Sequence, residues 1–422
     1  MAARLLEIRR IALPVRPFDL GKASFDGGNF DGGRELRLSL GIGSGLSRRF
    51  GDPPGRLYAI TDRGPNIPCD EASAILGLGA DILCAGDGEA KIFPQPAFQP
   101  SIVTIEIAAT RVRLAARLPL RDAKGLPLSG LPNPREGEAA PGIEQAFDTR
   151  GAPLDPDPGG VDTESVAAAA DGTFWAGEEY GPSLLHIAAD GTVMERIVPK
   201  GVGRFYKKAP YPVRERLPEV FARRRLNRGF EGLTLSPDGR HLHFMTQSAL
   251  AHPDAGVTDW SRNIRLVTFD VKKREVECEH LYRLERPDAY RGDKGARRKD
   301  VKIGDMCSFG PYDLLVVERV ENASKIFHIR LTADQRLAPE WLDLDRRPTL
   351  EETDGRALRK AQIPVLEKRL ILDSDRDKGL PPKIEGLSWF DERTLVVIDD
   401  DDFGIKGARS AVHVLRFDEP LI

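Results

Sequence analysis

Residues 229–250, GFEGLTLSPDGRHLHFMTQSAL, set the reading of the whole chain. The stretch opens on an acid in a short apolar run and turns at Asp238-Gly239. It returns as HLHFMT and ends on Gln247-Ser248. Asp-Gly between two apolar runs is the signature of a tight β-hairpin. The plan recurs as VDTESVAAAADGTFWAGEEYGPSLLHIAADGTV from Val161, KIGDMCSFGPYDLLVVERVENASKIFHIRL from Lys302, and KIEGLSWFDERTLVVIDDDDFGI from Lys383. The opening acids are Glu164, Glu231, Asp305 and Glu385, spaced 231 − 164 = 67, 305 − 231 = 74 and 385 − 305 = 80 residues apart. The polar ends are Glu178-Glu179-Tyr180, Gln247-Ser248, Glu318-Arg319, and the run Asp399, Asp400, Asp401, Asp402. An earlier unit, LSLGIGSGLSRRF then RLYAITDRGPN, keeps the plan, with Ser44 in the acid's place and Asp62-Arg63 at its end.

Two more strands follow each pair, among them SIVTIEI and RVRLAARLPL, or IRLVTFDV and EVECEHLYRL. Four antiparallel strands in repetition describe a β-propeller blade. The last unit has only three, ending in AVHVLRF, and the N-terminal LLEIRRIAL can supply the fourth and remove an open edge. The expected fold is all-β: a single β-propeller domain over 1–422 with five readable units, five or six blades, and a ring closed by the N-terminal strand. Loop insertions are expected near 122–160, 253–261, 287–299 and 349–368. Segments 218–226 and 349–368 look helical.

Composition agrees. Gly 41 plus Pro 32 is 73 of 422 residues, about 17% against an average near 12%. Lys and Arg number 62 against 65 Asp and Glu, so no basic excess marks a nucleic-acid or anionic-membrane binder. No run approaches the roughly 20 apolar residues of a membrane span. The N-terminus, with Arg4, Arg9 and Arg10, lacks the unbroken apolar stretch of a signal peptide. A soluble protein is expected, periplasmic or secreted if a leader was trimmed and otherwise cytoplasmic. None of the four cysteines sits in a CxxC pair. Cys69 and Cys84 bracket a loop-like segment and could pair in an exported protein; the bland reading is four free, mostly buried thiols.

In a propeller the first strand of each blade lines the central channel. Glu164, Glu231, Asp305 and Glu385 would then converge on one axis, where like charges repel and unpaired burial costs several kcal/mol each. Bound cations or the basic residues Arg63, Arg228, Lys302, Arg319, Lys325 and Lys383 must compensate. Calcium suits the set, because it takes six to eight oxygens in flexible geometry. The run of four aspartates at 399–402 does not match a spaced EF-hand loop. The competing reading is that each acid caps a turn by accepting backbone N–H groups.

Other chemistry is thin. Gly43-Ser44-Gly45 lacks the full G-x-S-x-G elbow. His241 and His243 share a strand face, yet no third zinc ligand lies near in sequence. No P-loop or dinucleotide fingerprint is present. The four tryptophans read as blade packing.

At these residues the sequence resembles the phytase-like β-propeller family, described as having esterase-like activity of phytase. The resemblance is carried by Thr61-Asp62-Arg63-Gly64-Pro65-Asn66, by Asp162-Thr163-Glu164-Ser165 with Glu178-Glu179-Tyr180-Gly181-Pro182, by Gly229-Phe230-Glu231-Gly232-Leu233, by Val317-Glu318-Arg319, and by Lys383-Ile384-Glu385-Gly386-Leu387 with Asp400-Asp401-Asp402-Phe403-Gly404. It implies a calcium-binding propeller that cleaves phosphate esters. On that reading Glu164, Glu231, Asp305, Glu385 and Asp400 are metal ligands. Glu179, Tyr180 and Asp62 are the catalytic candidates. Arg63, Arg319, Lys383 and Lys302 hold phosphate, arginine as a fork and lysine as a point charge. The partner is a small phosphorylated or ester substrate, and a monomer is expected. Two alternatives stand beside it: a non-catalytic, calcium-stabilised propeller that binds a ligand or protein, and a metal-dependent lactonase or carboxyl esterase.

Overall fold

The computed structural model describes residues 3–25, 34–134 and 144–421. Five sheets dominate. Sheet I contains Gly45–Ser47, Arg56–Ile60, Ser101–Ile107 and Val112–Pro119. Sheet II contains Thr163–Ala168, Phe174–Glu178, Ser183–Ile187 and Val193–Pro199, with Val213–Leu217 added parallel to the fourth strand. Sheet III runs through Phe230–Leu235, His241–Thr246, Asn263–Asp270 and Glu275–Arg283, and sheet IV through Lys302–Ser308, Asp313–Arg319, Ser324–Arg330 and Arg369–Asp373. Sheet V holds Ile384–Asp391, Thr394–Asp399 and Ala411–Phe417, and Leu5–Ala12 pairs with the last of these. The N-terminal strand thus completes the C-terminal sheet, as the strand count of the last repeat requires.

The sheets stack face to face. Separate buried clusters join I to II, II to III, III to IV and IV to V, and a fifth joins V to I through Val396, Ile398 and Val412 against Leu46, Leu57 and Val103. This explains why Leu314 to Val317 read as an unbroken apolar run: with a neighbour on each face, both sides of the strand are buried. The first strands of the five sheets touch one another in the same order, and that of sheet V also touches that of sheet I.

The segments read as insertions or helices take several forms. Within 122–160, residues 135–143 lie outside the described residues; beyond them Ala146–Phe147 and Pro153–Leu154 join Ile67–Pro68 and Lys91–Ile92 in a small sheet. The 349–368 segment contains the helix Gly355–Lys360, whereas 218–226 forms only a 3-10 turn at Glu219–Ala222. The hairpin of Asp19–Phe25 and Arg34–Ser39 was not legible as part of any repeat. Cys69 and Cys84 are bonded to each other, which corrects the reading of four free thiols; Cys278 and Cys307 are free. Among the described residues no helix is long and apolar enough to cross a membrane.

Candidate functional site

The repeated acids sit at one recurring irregularity. In sheet II the ladder pairs Thr163 with Glu178 and then Ser165 with Gly177, so Glu164 has no partner opposite. Glu231 is passed over in the same way between Phe230 and Gly232, and Glu385 between Ile384 and Gly386. Each is the extra residue of a β-bulge, a device that re-aims a side chain at the end of a strand. The second strand of each pair then leaves the ladder at Glu179, Gln247 and Asp400, one residue past the partners Glu178, Thr246 and Asp399. Bulge residues and strand-end residues together line a cavity of about 400 Å³: Ser44 and Asp62 from unit I, Glu164 and Glu179 from II, Glu231 and Gln247 from III, Lys302 and Arg319 from IV, Glu385 and Asp400 from V.

Asp305 departs from this set. The register places Gly304, not Asp305, at the position of Glu164, Glu231 and Glu385, because Ile303 pairs with Glu318 as Ile384 pairs with Asp399. A Cβ at Gly304 would stand 2.6 Å from the Ile384 carbonyl oxygen, so no acid fits there. One position on, the Asp305 carboxylate accepts from the backbone N–H groups of Met306 (2.8 Å), Leu387 (2.7 Å) and Leu46 (3.3 Å). It ties sheets IV, V and I together and does not line the cavity, which is the turn-capping role set beside the metal reading.

The charges lining the cavity are unevenly paired. Neither Glu164 nor Glu179 has an ion-pair partner within 4.0 Å among the described residues, and Asp62 reaches only the Arg63 Nε at 3.9 Å. By contrast, Arg319 donates to Glu385 and lies 4.0 Å from Glu231. The Lys383 ammonium lies 3.0 Å from Asp402, 3.6 Å from Asp400 and 3.7 Å from Glu385. Arg228 donates to Gln247, and Lys302 lines the wall nearby.

Two expected participants lie behind the wall instead. Arg63 is 2% exposed, with its guanidinium donating to Glu144, Asp162 and the Asn227 side chain. It cannot reach a ligand in the cavity without abandoning two buried carboxylates. Tyr180 is equally buried; its hydroxyl accepts the Glu144 backbone N–H at 3.4 Å, and the guanidinium groups of Arg63 and Arg224 lie over its ring. Both residues support the wall. The glycines around Ser44 also have a packing cause: a Cβ at Gly43 would stand 2.5 Å from the Asp400 Cα, and one at Gly45 2.7 Å from the Ser165 Cα. Asp162, Glu144, Asn227 and Lys91 are site or wall residues that the repeat did not reveal, since they lie outside its recurring positions.

Burial without compensation shifts the acids. Desolvation, reinforced by the charge of neighbouring carboxylates, pushes Glu179 up to about 8 and Asp400 to about 7, and holds Asp62 and Glu164 well above the usual carboxylate range. Burial alone raises Glu231, despite the nearby Arg319. Burial beside Arg228 and Arg319 holds the Lys302 ammonium well below the usual lysine range. Asp402 is lowered to about 2, because the attraction of Lys383 outweighs its burial. The cavity therefore favours protons on its raised carboxyl groups, or another positive species in their place.

A family model described as phytase-like, esterase-like activity of phytase, matches residues 40–403. A curated relative, an uncharacterized secreted protein of Arthroderma benhamiae, is 28% identical over 279 residues, 60% of this chain and 51% of its own length. The chain thus spans about half the length of that relative. Among solved structures, the chain overlaps the PQQ-bound aldose sugar dehydrogenase of Streptomyces coelicolor at TM-score 0.36 and 9% identity, covering 99% of this chain and 98% of that one. It overlaps a luciferin-regenerating enzyme at 0.34 and 10% (91% and 80%), and virginiamycin B lyase of Staphylococcus aureus at 0.31 and 10% (97% and 99%). Overlaps this loose say nothing of a shared ligand.

Proposed function

Because the chain belongs to the phytase-like family, esterase-like activity of phytase, we propose that it is a cation-dependent hydrolase of phosphate esters working in this cavity, on a single five-bladed β-propeller closed by its N-terminal strand. The observation that carries the reading is the uneven pairing of charges in one cavity: Asp62, Glu164 and Glu179 have no ion pair closer than 3.9 Å among the described residues, while Arg319, Lys383, Lys302 and Arg228 line the same wall.

Charge decides whether a cation is needed. Nine carboxyl side chains line the cavity against six of lysine and arginine. A phosphate would meet net repulsion in the fully ionised cavity, so its entry calls for an added positive charge. The all-oxygen donor set fits calcium, which Asp62 and Glu164 would hold. Such an ion polarises a phosphoryl oxygen and acidifies a bound water. The protein supplies the rest. Arg319 can hold phosphoryl oxygens through its planar fork and Lys383 through a point charge. Glu179, pushed up to about 8 by burial in the metal-free cavity, is the proposed donor of a proton to the leaving alkoxide. Walls built on strand ends keep these groups rigid, which is what positioning catalysis requires.

A panel of phosphomonoesters, with carboxyl esters and lactones beside them, tests this in calcium-replete and chelated protein. Calcium-dependent phosphate release is expected, with at least a hundredfold loss in kcat for Glu179→Gln. No phosphate release from any ester would overturn the reading, and turnover of lactones alone would move the activity to carboxyl esters. One observation favours a non-catalytic, calcium-stabilised propeller: Arg319 and Lys383 already have carboxylate partners. That reading predicts calcium stabilisation with no substrate consumed. The Cys69–Cys84 disulfide supports an exported protein.

A further inference from the structure

We infer that the cation site of this cavity is the group Asp62, Asp162 and Glu164, rather than the ring of repeated acids. The inference rests on the cation-dependent reading above and names its residues. One carboxylate oxygen from each of the three lies within 4.8 Å of the others. Asp62 and Glu164 line the cavity, and Asp162 closes the group from the buried side, 3% exposed.

Asp162 supplies the second, independent sign. Arg63 donates to its Oδ2, while Oδ1 is buried and, among the described residues, accepts from no amide, hydroxyl or cationic group. The Asp62 carboxyl stands against Asp162, and only a shared proton or a cation can join two carboxylates. A buried carboxylate oxygen without a donor is costly and uncommon in native proteins. The nearby cations do not relieve it. The Arg63 guanidinium is divided among Glu144, Asp162 and Asn227, and the Lys91 ammonium stands 3.8 Å from Glu144. A metal ion among the three carboxylates satisfies that oxygen and removes their mutual repulsion in one step.

Of the remaining repeated acids, Glu385 accepts from Arg319, Asp400 faces Lys383, and Asp305 holds backbone amides. Glu231 lies 4.0 Å from Arg319 and also keeps a buried oxygen without a hydrogen-bond partner among the described residues, but it stands outside the group of three carboxylates. Donor chemistry selects the ion: no histidine or cysteine lines the cavity among the described residues, so the site suits a hard, oxygen-seeking cation. Three carboxylates leave further positions for waters or substrate oxygens on an ion that takes six to eight.

The test is calorimetric titration of the chelator-treated full chain with calcium chloride, with magnesium and manganese as comparators, alongside thermal unfolding. Saturable binding of about one calcium per chain and a raised Tm are expected. Glu164→Gln is the primary variant, because among the described residues the Glu164 side chain has no hydrogen bond or ion pair whose loss would unfold the chain; it should weaken calcium binding at least tenfold. Asp162→Asn, checked for folding by circular dichroism, should do the same. Glu71→Gln, elsewhere on the cavity wall, should stay within twofold of wild type. The inference is overturned if the folded chain binds none of the three ions at millimolar concentration, or if Glu164→Gln and Asp162→Asn bind calcium as tightly as wild type. Calcium bound at this site with no ester turned over supports the inference and removes the hydrolase reading, so the two fail separately.

Discussion

Replacing Arg63 by methionine separates a wall residue from a phosphate-binding one. The guanidinium faces Glu144 and Asp162, whose side chains are 0% and 4% exposed. Methionine keeps most of the volume and removes the charge, leaving Asp162 without its guanidinium and Glu144 with only Lys91 at 3.8 Å and the Asn227 amide. Breaking a buried ion pair from one side costs about 3–5 kcal/mol, most of it the penalty on the partner left behind. Unfolding entropy near 2.1 cal/mol/K per residue gives roughly 0.9 kcal/mol/K for a chain of this length, so Arg63→Met should lower Tm by about 3–6 °C in a one-step transition. Differential scanning calorimetry in chelator at pH 7.5 reads this directly. Neutralising the orphaned acids in the triple variant Arg63→Met, Glu144→Gln, Asp162→Asn should recover at least half of the loss, since the three groups act as one network. A Tm change under 1 °C for the single variant, or a triple variant less stable than the single one, would refute this account of Arg63 and restore it as a candidate ligand for substrate.

Further expectations concern other parts of the molecule. Glu179 has a folded-state value of about 8 against 4.5 for an ordinary glutamate, so its contribution to stability is complete below about pH 4.5 and is lost as pH rises through 8. Between pH 6 and 9 the Tm of metal-free wild type should fall more steeply than that of Glu179→Gln, and parallel curves would contradict the assignment. Asp305→Ala should cost about 2–4 kcal/mol by stranding the N–H groups of Leu46, Met306 and Leu387, while calcium affinity of the folded protein stays within twofold; a tenfold loss of affinity would return Asp305 to the ligand set. Opening the Cys69–Cys84 bridge, which closes a separation of 15 residues, should destabilise the chain by about 3 kcal/mol, read as a lower midpoint in urea for Cys69→Ser with Cys84→Ser. No change there would place the bridge outside the cooperative unit.

The repeat was legible because each unit is a complete four-stranded piece with its own turn signals, and every such piece needs neighbours on both faces. Strand runs such as SIVTIEI and EVECEHLYRL fall where the sequence places them, at Ser101–Ile107 and Glu275–Arg283. Three of the four repeated acids reach the cavity for the same reason. Asp305 does not, because the sequence of unit IV carries its acid one residue later, and in a strand one residue changes the side on which a side chain stands. Setting Lys302-Ile303-Gly304-Asp305 against Lys383-Ile384-Glu385-Gly386 shows that shift in the sequence, and the pairing of Ile303 with Glu318 fixes it in the fold. Arg63 followed an aspartate at a strand end and read as a site residue, but its partners Glu144 and Asn227 come from non-repeating connections. For the same reason Asp162, whose free oxygen marks the candidate cation site, had no signal beyond its place in a family motif. Convergence on an axis can be read from a repeat, whereas the pairing of charges across it depends on loops that the repeat does not contain.

Inorganic phosphate released from phosphomonoesters by the intact chain, measured with calcium, with chelator, and for Glu164→Gln, bears most directly on the central claim of a cation-dependent hydrolytic cavity. Release that requires calcium and falls at least tenfold at subsaturating calcium in Glu164→Gln is predicted. Release that persists in chelator, or no release from any ester by calcium-loaded protein, would contradict it.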